Sequence, residues 1–495
     1  MSLGKKVFSS AVLLFVRKIW GNVINLIVMA FLARILSKED FGLLAISSVL
    51  LSIINSLATS GISEYIISYK GEFEKEVINA TFWLNLLLTF GVVLVCVTAG
   101  PFWAEFYENE KIFNLILLLL VSFVFHMTST IPRSLLRKDL DYKTIVLYST
   151  VSMTSISIGK LVAAFLGMGV YSLALPQAIV SPLLMIAFFL KADWKPMLKL
   201  GIIYFKDIFR FSGNVVGARV LTRIVNEGDN LIVGKFVGLE GLGVYTLAFN
   251  LANLVTTNVV FIANDIFLPL YSKVKDDAER LRDIYKRMIN VLASISFPAI
   301  TTLVIVAEPI VSLIYGEKWF EAIVPFQILC IFAIGRSLSS PSSAIFSAMG
   351  RPDISFKFAI FLAPVFLIAV FVGSQYSVIG VAIATTIVRV SGSIISLSLS
   401  LKLIRLTLAD LFEIISRNFI VSVLFVLIFF SFFKNVFNEQ NNFLVLLVVP
   451  VIVYAQYILQ RFLFRRNFIM FLNEIKHLIG KKMSFRILDK FLFIH

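Results

Sequence analysis

Long runs of apolar residues dominate this chain, and short polar segments separate them. A transmembrane α-helix needs about 20 consecutive, mostly apolar residues. Runs of that length recur along nearly the whole sequence, and stretches such as 112–125 and 419–433 do not alternate between apolar and polar residues. A transmembrane β-barrel shows such alternation in segments of about ten residues. The pattern therefore predicts an all-α polytopic membrane protein.

The apolar runs predict about fourteen transmembrane helices joined by short loops. We place them at 8–34, 41–67, 79–103, 112–136, 143–166, 169–190, 209–235, 241–271, 285–306, 322–347, 354–373, 377–401, 412–433 and 443–464. The tail beyond them repeats Phe, Leu and Ile at helical spacing among lysines. That spacing is typical of a basic amphipathic helix on the membrane surface, or equally of a helix packed on the protein.

Composition leaves no room for a sizeable water-soluble domain. Hydrophobic residues make up 59% of the chain and charged residues 15%, with a mean hydropathy of +0.91. Soluble domains carry about 25% charged residues. The N-terminus lacks a signal-peptidase cleavage pattern, so we expect a retained first helix. Cys96 and Cys330 lie in apolar runs, which predicts neither a disulfide nor a metal site.

The basic residues predict the orientation. The net charge of +15 arises largely from alternate loops, those after the fourth, sixth and eighth helices, and from the C-terminal tail. Cytoplasmic loops are enriched in Lys and Arg. We therefore expect a bacterial inner-membrane protein with both termini in the cytoplasm. The charge needs no nucleic-acid partner to explain it.

A weak internal repeat divides the chain. Arg34, Glu39 and Gly42 recur as Lys235, Glu240 and Gly243, each 201 residues later, and the pattern Ala99-x-Pro101-x5-Tyr107 recurs 208 residues later as Ala307-x-Pro309-x5-Tyr315. Two parallel six-helix halves with a central cleft are expected to work by alternating access. The predicted divisions are 1–205 and 206–402 for the two bundles, 403–464 for two added helices, and 465–495 for the basic tail.

Basic residues inside the predicted helices suggest a cationic, hydrated cavity. A lysine or arginine at a helix centre costs about 2.5–3.5 kcal/mol on insertion scales. Lys18, Asn22 and Asn25 share one face of the first helix, and Arg219, Arg223 and Glu227 share one face of the seventh. Internal ion pairs are the alternative, above all for Arg223 with Glu227. The predicted substrate-binding residues are Arg17, Lys18, Asn22, Asn25, Lys160, Arg219, Arg223, Arg336 and Arg389.

Acidic residues in the same helices suggest ion coupling. Burial raises the pKa of a carboxylate, which can then carry a proton or bind Na⁺. The candidates are Glu64, Glu227, Asp229 and Asp265. Pairing with a nearby arginine explains them equally well. No other cofactor is expected. No phosphate-binding loop, hydrolase, zinc-protease or glycosyltransferase motif occurs in the sequence, and every predicted external loop is short, so we expect no enzymatic activity.

Three segments resemble a known family. Segments 32–42 (LARILSKEDFG), 229–236 (DNLIVGKF) and 241–245 (GLGVY) are similar to motifs of the oligosaccharide flippase family of the multidrug/oligosaccharidyl-lipid/polysaccharide exporter superfamily. The resemblance implies flipping of an undecaprenyl-pyrophosphate-linked oligosaccharide to the outer leaflet for O-antigen, capsule or exopolysaccharide assembly. It also implies a polysaccharide polymerase and chain-length machinery as partners, besides membrane lipids. Alternatives are a cation-coupled multidrug exporter, a lipid-linked peptidoglycan precursor flippase, and a non-transport scaffold of polysaccharide assembly.

The cavity hypothesis predicts that Lys18→Ala and Arg219→Ala each impair transport without lowering expression. Removing either cation weakens the attraction for an anionic cargo. Transport assays in proteoliposomes, with protein levels matched by immunoblot, check this. Normal transport by both variants would contradict the assignment.

Overall fold

The computed structural model is helical along its described part, which comprises residues 3–58, 62–69, 74–198 and 200–433, and these contain no β-strand. The α-helices are α1 (Leu3–Ile35), α2 (Lys38–Ala58), α3 (Ile62–Ser68), α4 (Glu74–Phe106), α5 (Lys111–Thr128), α6 (Thr130–Lys138), α7 (Tyr142–Phe165), α8 (Leu175–Lys191), α9 (Phe205–Phe236), α10 (Leu239–Val274), α11 (Ala278–Ile305), α12 (Ala307–Ile310), α13 (Ile323–Ala348), α14 (Pro352–Ser374), α15 (Val378–Leu403) and α16 (Leu408–Phe433). Short 3₁₀ turns lie at Gly169–Leu173, Ile202–Tyr204 and Glu317–Ala322, and a π-helical turn at Val311–Tyr315.

The all-α polytopic prediction is confirmed. Ten helices within the described ranges are long and apolar enough to cross a membrane. The predicted helix at 443–464 and the tail at 465–495 lie outside the described residues, so the count of fourteen stays a prediction. The predicted helix at 41–67 corresponds to α2 and α3, between which residues 59–61 lie outside the described part. The predicted helix at 112–136 corresponds to one apolar span, Lys111–Lys138, that the backbone divides into α5 and α6.

The break between α5 and α6 has a local cause. Pro132 has no amide hydrogen, so the carbonyl of Thr128 loses its usual partner in the helix. Beside it, the hydroxyl of Ser129 donates to the carbonyl of His126, at 2.7 Å. Side-chain bonds of this kind compete with the regular helical ladder. Hydropathy therefore predicts one helix over this apolar run, although the backbone forms two.

The chain forms two compact units. Unit 1 comprises Met1–Thr246, Ile314–Trp319 and Val370–Val381, and unit 2 comprises Leu247–Leu313, Phe320–Ala369 and Ala382–His495. These units follow spatial contact, whereas the predicted divisions at 205 and 402 follow the sequence repeat. The repeat boundaries therefore stay a prediction.

In unit 1, α1 packs along α7, α2 along α9, and α5 against both α4 and α8.

The start of α2 is fixed by a reciprocal cap. The backbone amide of Ser37 donates to the Asp40 carboxylate at 2.9 Å, and the amide of Asp40 donates to the Ser37 hydroxyl at 3.1 Å. This capping box satisfies two amides that the first helical turn would otherwise leave open.

Unit 2 is built on α11, which packs against α13 and α16. Two buried asparagines join α16 to α11, because the Asn418 amide donates to Asn290 Oδ1 at 2.9 Å. The first turn of α16 is capped by Asp410, whose carboxylate accepts from the Thr407 amide and hydroxyl, both at 2.8 Å. These bonds, helped by Lys286, lower the pKa of Asp410 to about 2.

A reciprocal glycine contact in unit 1 joins the starts of α2 and α10. A Cβ atom at Gly42 would lie 1.9 Å from the carbonyl oxygen of Leu239, and one at Gly243 would lie 1.9 Å from that of Lys38. Leu239 and Gly243 follow Lys38 and Gly42 by the same 201 residues. Each repeat therefore presents a glycine to the other repeat's carbonyl, which is the two-fold relation expected of a duplicated pair.

We predict that Gly42→Ala and Gly243→Ala each destabilise the protein, by roughly 1–3 kcal/mol, since the added methyl forces two helix ends apart. Gly91→Ala is the matched control, because nothing lies within 4 Å of its Cβ position inside α4. That control is expected to be neutral or stabilising, by up to about 1 kcal/mol of helix propensity. Thermal unfolding of purified protein in nanodiscs measures all three. Equal stability of the three variants would contradict the close contact.

Candidate functional site

Three guanidinium groups gather in unit 1. Arg17 lies on α1, and Arg133 and Arg137 lie one helical turn apart on α6. All three are partly buried, and they lie close enough to repel one another. We call these three residues the arginine cluster. None of the salt bridges found among the described residues includes a member of it, and the buried Nε of Arg133 has no hydrogen-bond partner there.

The break after α5 and the packing of α6 place two members of this cluster. α6 lies against α3, where the hydroxyl groups of Ser63 and Ser134 are 2.8 Å apart. At the end of α6, the Lys138 ammonium donates to the carbonyl of Tyr69 at 3.0 Å. Residues at i and i+4 share one face of a helix. Arg133 and Arg137 therefore share one face of α6, and both lie close enough to repel Arg17.

The sequence predicts Arg17 as a binding residue, but it does not single out Arg133 and Arg137. The fourth predicted helix, 112–136, has Arg133 near its end and leaves Arg137 in the basic loop that follows. The available signal was Pro132, which marks a break before two arginines at i,i+4 spacing. If the helix is taken as continuous, nothing in the sequence indicates that these two arginines lie near α1.

The other predicted residues of the first bundle lie on α1 and α7. Lys18 is partly buried, whereas Asn22 and Asn25 are exposed. Lys160 is partly buried on α7, the helix that packs along α1. Their role in binding stays a prediction.

On α9, two of the predicted residues pair with each other. Arg223 Nη1 lies 3.4 Å from Glu227 Oε1, and Asn230 donates to the other carboxylate oxygen at 3.1 Å. Asp229 is only 1% exposed and accepts from the Tyr245 hydroxyl at 2.9 Å. Arg223 thus has the internal ion pair that was the alternative to a cavity role. The side chains of Arg219, Glu64 and Asp265 lie outside the described part of the structure.

Unit 2 holds the remaining two predicted arginines in different surroundings. The Arg389 guanidinium carbon lies 4.5 Å from the ring centre of Phe366, 5.2 Å from that of Phe332 and 5.6 Å from that of Phe249. Cation–π attraction of this kind stabilises a desolvated guanidinium within the bundle. Arg336 donates from Nη1 to Asn253 Oδ1 at 2.8 Å and lines a polar cleft.

In the predicted topology, the basic loops lie at one end of unit 1. At the opposite end, a lysine and an arginine donate to helix-end carbonyls in a symmetric arrangement. Lys235 donates to the carbonyl of Phe106 at 2.7 Å, and Arg34 donates to that of Ile314 at 3.3 Å. Arg34 and Lys235 are repeat equivalents, and Phe106 and Ile314 are equivalents at the 208-residue spacing. We call these bonds, with the Gly42 and Gly243 contacts, the end contact.

Further donors strengthen the end contact at the C-terminus of α1. The Trp319 indole donates to the carbonyl of Ala33 at 2.8 Å, and Lys318 donates to that of Leu36 at 2.6 Å. Lys38 also lies 3.5 Å from the Glu240 carboxylate. The last carbonyls of a helix lack intrahelical partners, so these donors satisfy groups that are costly to leave open. The end contact is therefore closed by both packing and hydrogen bonds.

Comparison with known proteins agrees with this fold. Residues 31–324 match the sequence profile of a family described as polysaccharide biosynthesis protein. The lipopolysaccharide biosynthesis protein WzxC of Escherichia coli (strain K12) is 27% identical over 405 residues, covering 81% of this chain and 82% of WzxC. The teichuronic acid biosynthesis protein TuaB of Bacillus subtilis (strain 168) is 25% identical over 352 residues, covering 70% and 72% of the two chains.

Two solved structures share the fold. The lipid II flippase MurJ, in an inward closed conformation, matches with a TM-score of 0.74 and 17% identity, covering 92% of this chain and all of MurJ. An inward-facing multidrug resistance MATE family transporter of the MOP superfamily matches with a TM-score of 0.59 and 17% identity, covering 78% and 94%. At these identities the likeness establishes the fold alone.

Proposed function

The chain belongs to the polysaccharide biosynthesis protein family, whose profile covers residues 31–324, and from this premise we propose a specific transport function. The protein flips an undecaprenyl-pyrophosphate-linked oligosaccharide from the cytoplasmic to the outer leaflet of a bacterial inner membrane. Its product serves O-antigen, capsule or exopolysaccharide assembly. The names of WzxC and TuaB, both polysaccharide biosynthesis proteins, support this class of substrate.

The observation that carries the proposal is the arginine cluster. Three cations that repel one another in a poorly solvated bundle are unstable unless an anion joins them. The described residues supply no acid to Arg17, Arg133 or Arg137. A pyrophosphate diester carries two negative charges and many acceptor oxygens, which suit the forked donors of guanidinium groups. The headgroup of a lipid-linked sugar therefore supplies what the cluster lacks.

The cluster also separates the alternatives. An organic cation, the expected cargo of a cation-coupled drug exporter, would be repelled by three guanidinium groups. A scaffold without transport has no use for a cluster of cations that lacks an acidic partner among the described residues. A lipid-linked peptidoglycan precursor shares the pyrophosphate, so the sugar distinguishes it. The family profile favours the polysaccharide branch.

We predict that Arg17→Gln and Arg133→Gln each slow flipping by roughly 10- to 100-fold, since a hydrogen bond to a charged group contributes about 1.5–3 kcal/mol. The assay measures the transfer of a lipid-linked oligosaccharide across proteoliposome membranes. Lys402→Gln is the control, because Lys402 is an exposed cation on α15 of unit 2.

The control variant is expected to flip at the wild-type rate. All three variants also need equal reconstitution and thermal stability, so that a lower rate reports on the cluster alone. Wild-type rates in both cluster variants would overturn the pyrophosphate assignment. Export of a cationic dye by the wild-type protein, with no flipping of the lipid-linked sugar, would favour the drug exporter.

Alternating access requires the end contact to open. We predict that a crosslink between cysteines introduced by Lys38→Cys and Glu240→Cys stops flipping, and that cleaving a reducible crosslinker restores it. The 3.5 Å separation joins the ends of two long side chains, which cysteine does not reach. The backbones of the two helix starts meet at Gly42 and Gly243, however, so a bifunctional reagent of moderate length can join the two thiols. The background carries Cys96→Ala and Cys330→Ala, which remove two buried thiols. Unchanged flipping by the fully crosslinked protein would show that this contact does not open during transport.

Ion coupling and protein partners are separate proposals. Of the predicted coupling acids, Glu227 and Asp229 lie in the described part, on α9. Glu227 accepts from Arg223 of the same helix, and Asp229 accepts from Tyr245 of α10. A proton or Na⁺ that competed with these donors would change the contacts of α9 with its neighbours.

A polymerase and chain-length machinery are proposed partners on the side that receives the sugar.

A further inference from the structure

A polar cleft in unit 2 lies between α13, α14 and α15. It has a volume of about 220 Å³ and contains one cation, Arg336. Five serines line it, namely Ser339, Ser340, Ser343, Ser355 and Ser396. Phe346 and Phe358 supply an apolar wall. Hydroxyl groups, one charge and aromatic rings in one concave site are typical of specific small-molecule recognition.

The serines of α13 already use their hydrogens inside the helix. The hydroxyl of Ser340 donates to the carbonyl of Ser337 at 2.9 Å, that of Ser343 to Ser340 at 3.3 Å, and that of Ser339 to Arg336 at 3.4 Å. A hydroxyl has one hydrogen to donate and two lone pairs to accept with. These serines therefore offer acceptor oxygens to a ligand in the cleft.

Arg336 supplies donors to the same cleft. One of its nitrogens bonds to Asn253 Oδ1 at 2.8 Å, which fixes the side chain and leaves further N–H groups for a ligand. It forms no salt bridge with any acid in the described ranges, and the neighbouring Arg389 repels it. An anionic group bound there would relieve that repulsion.

We propose that this cleft binds an acidic sugar of the carried oligosaccharide, with the sugar carboxylate on Arg336 and sugar hydroxyls donating to the serine oxygens. The proposal rests on the transport function argued above and adds a substrate class to it. A guanidinium pairs with a carboxylate through two parallel bonds. The two phenylalanines can pack against the apolar face of the sugar ring.

The donor and acceptor pattern favours an acidic sugar over the pyrophosphate in this cleft. A pyrophosphate diester has acceptor oxygens and no hydroxyl donors, so it would face the α13 serine oxygens, whose hydrogens are already used within the helix. Its two charges exceed the single positive charge of Arg336, whereas one carboxylate matches it. An acidic sugar presents both the anion and the donors.

The test begins with binding to full-length protein in nanodiscs, measured by titration calorimetry. The probes are a glucuronate-containing trisaccharide, the same trisaccharide with its carboxyl group reduced to an alcohol, and inorganic pyrophosphate. The proteins are wild type, Arg336→Gln, Ser340→Ala, and the control Ser347→Ala. Ser347 is an exposed serine of α13 that does not line the cleft.

Wild-type protein is expected to bind the acidic trisaccharide at least tenfold more tightly than the reduced one. Arg336→Gln removes that preference, Ser340→Ala weakens binding of both sugars severalfold, and Ser347→Ala changes neither. A wild-type protein without the preference, or an unchanged preference in Arg336→Gln, overturns the proposal. Pyrophosphate binding that depends on Arg336 overturns it as well. Circular dichroism and thermal unfolding of each variant show whether a loss of binding reflects loss of fold.

Flipping of lipid-linked forms of the two trisaccharides separates this proposal from the transport function. Arg336→Gln is expected to slow the acidic substrate about tenfold and to leave the reduced substrate unchanged. Equal flipping of the acidic substrate by variant and wild type overturns the cleft assignment, and the transport function stands. If the wild type flips neither substrate, the transport function fails, and the binding experiment alone decides the cleft.

Discussion

The cost of a cation inside a membrane protein governs how this chain is arranged. A single lysine or arginine at a helix centre costs about 2.5–3.5 kcal/mol on insertion scales, so each needs a partner. Three of the described cations have one that belongs to the fold. Arg223 has Glu227, Arg389 has three aromatic rings, and Lys235 has a helix-end carbonyl. These cations stabilise the bundle, and they explain why an arginine in a span is not by itself a binding residue.

Four other cations are those that we propose to bind an external anion. The arginine cluster combines mutual repulsion, partial burial and a buried Nε without a partner within the described structure. Arg336 lines an open cleft and is fixed by an amide rather than neutralised by an acid. Whether a cation is paired within the protein or is proposed to bind cargo depends on contacts between helices. A single sequence does not show those contacts.

The sequence predicted the fold class and most helix positions because hydropathy reports on where a helix crosses the membrane. It also predicted the repeat, and the Gly42 and Gly243 contacts have the symmetry that the repeat requires. It could not predict that the helix divides near Pro132, ahead of Arg133 and Arg137, because a proline within an apolar run often only kinks a helix. It also could not predict the aromatic surroundings of Arg389, because the three phenylalanines come from distant parts of the chain. The binding role of Arg389 stays a prediction.

The two predicted repeats, 1–205 and 206–402, differ in their chemistry. The backbone relation is conserved at the end contact, where equivalent glycines meet equivalent carbonyls and equivalent cations bind equivalent oxygens. The side chains that we propose to face a ligand differ. The first predicted repeat offers three guanidinium groups, which suit a multiply charged anion, and the second offers one guanidinium among hydroxyl groups, which suits a singly charged, hydroxyl-rich one. A symmetric scaffold can recognise an asymmetric molecule only if its copies diverge in this way, since identical copies would present the same groups twice.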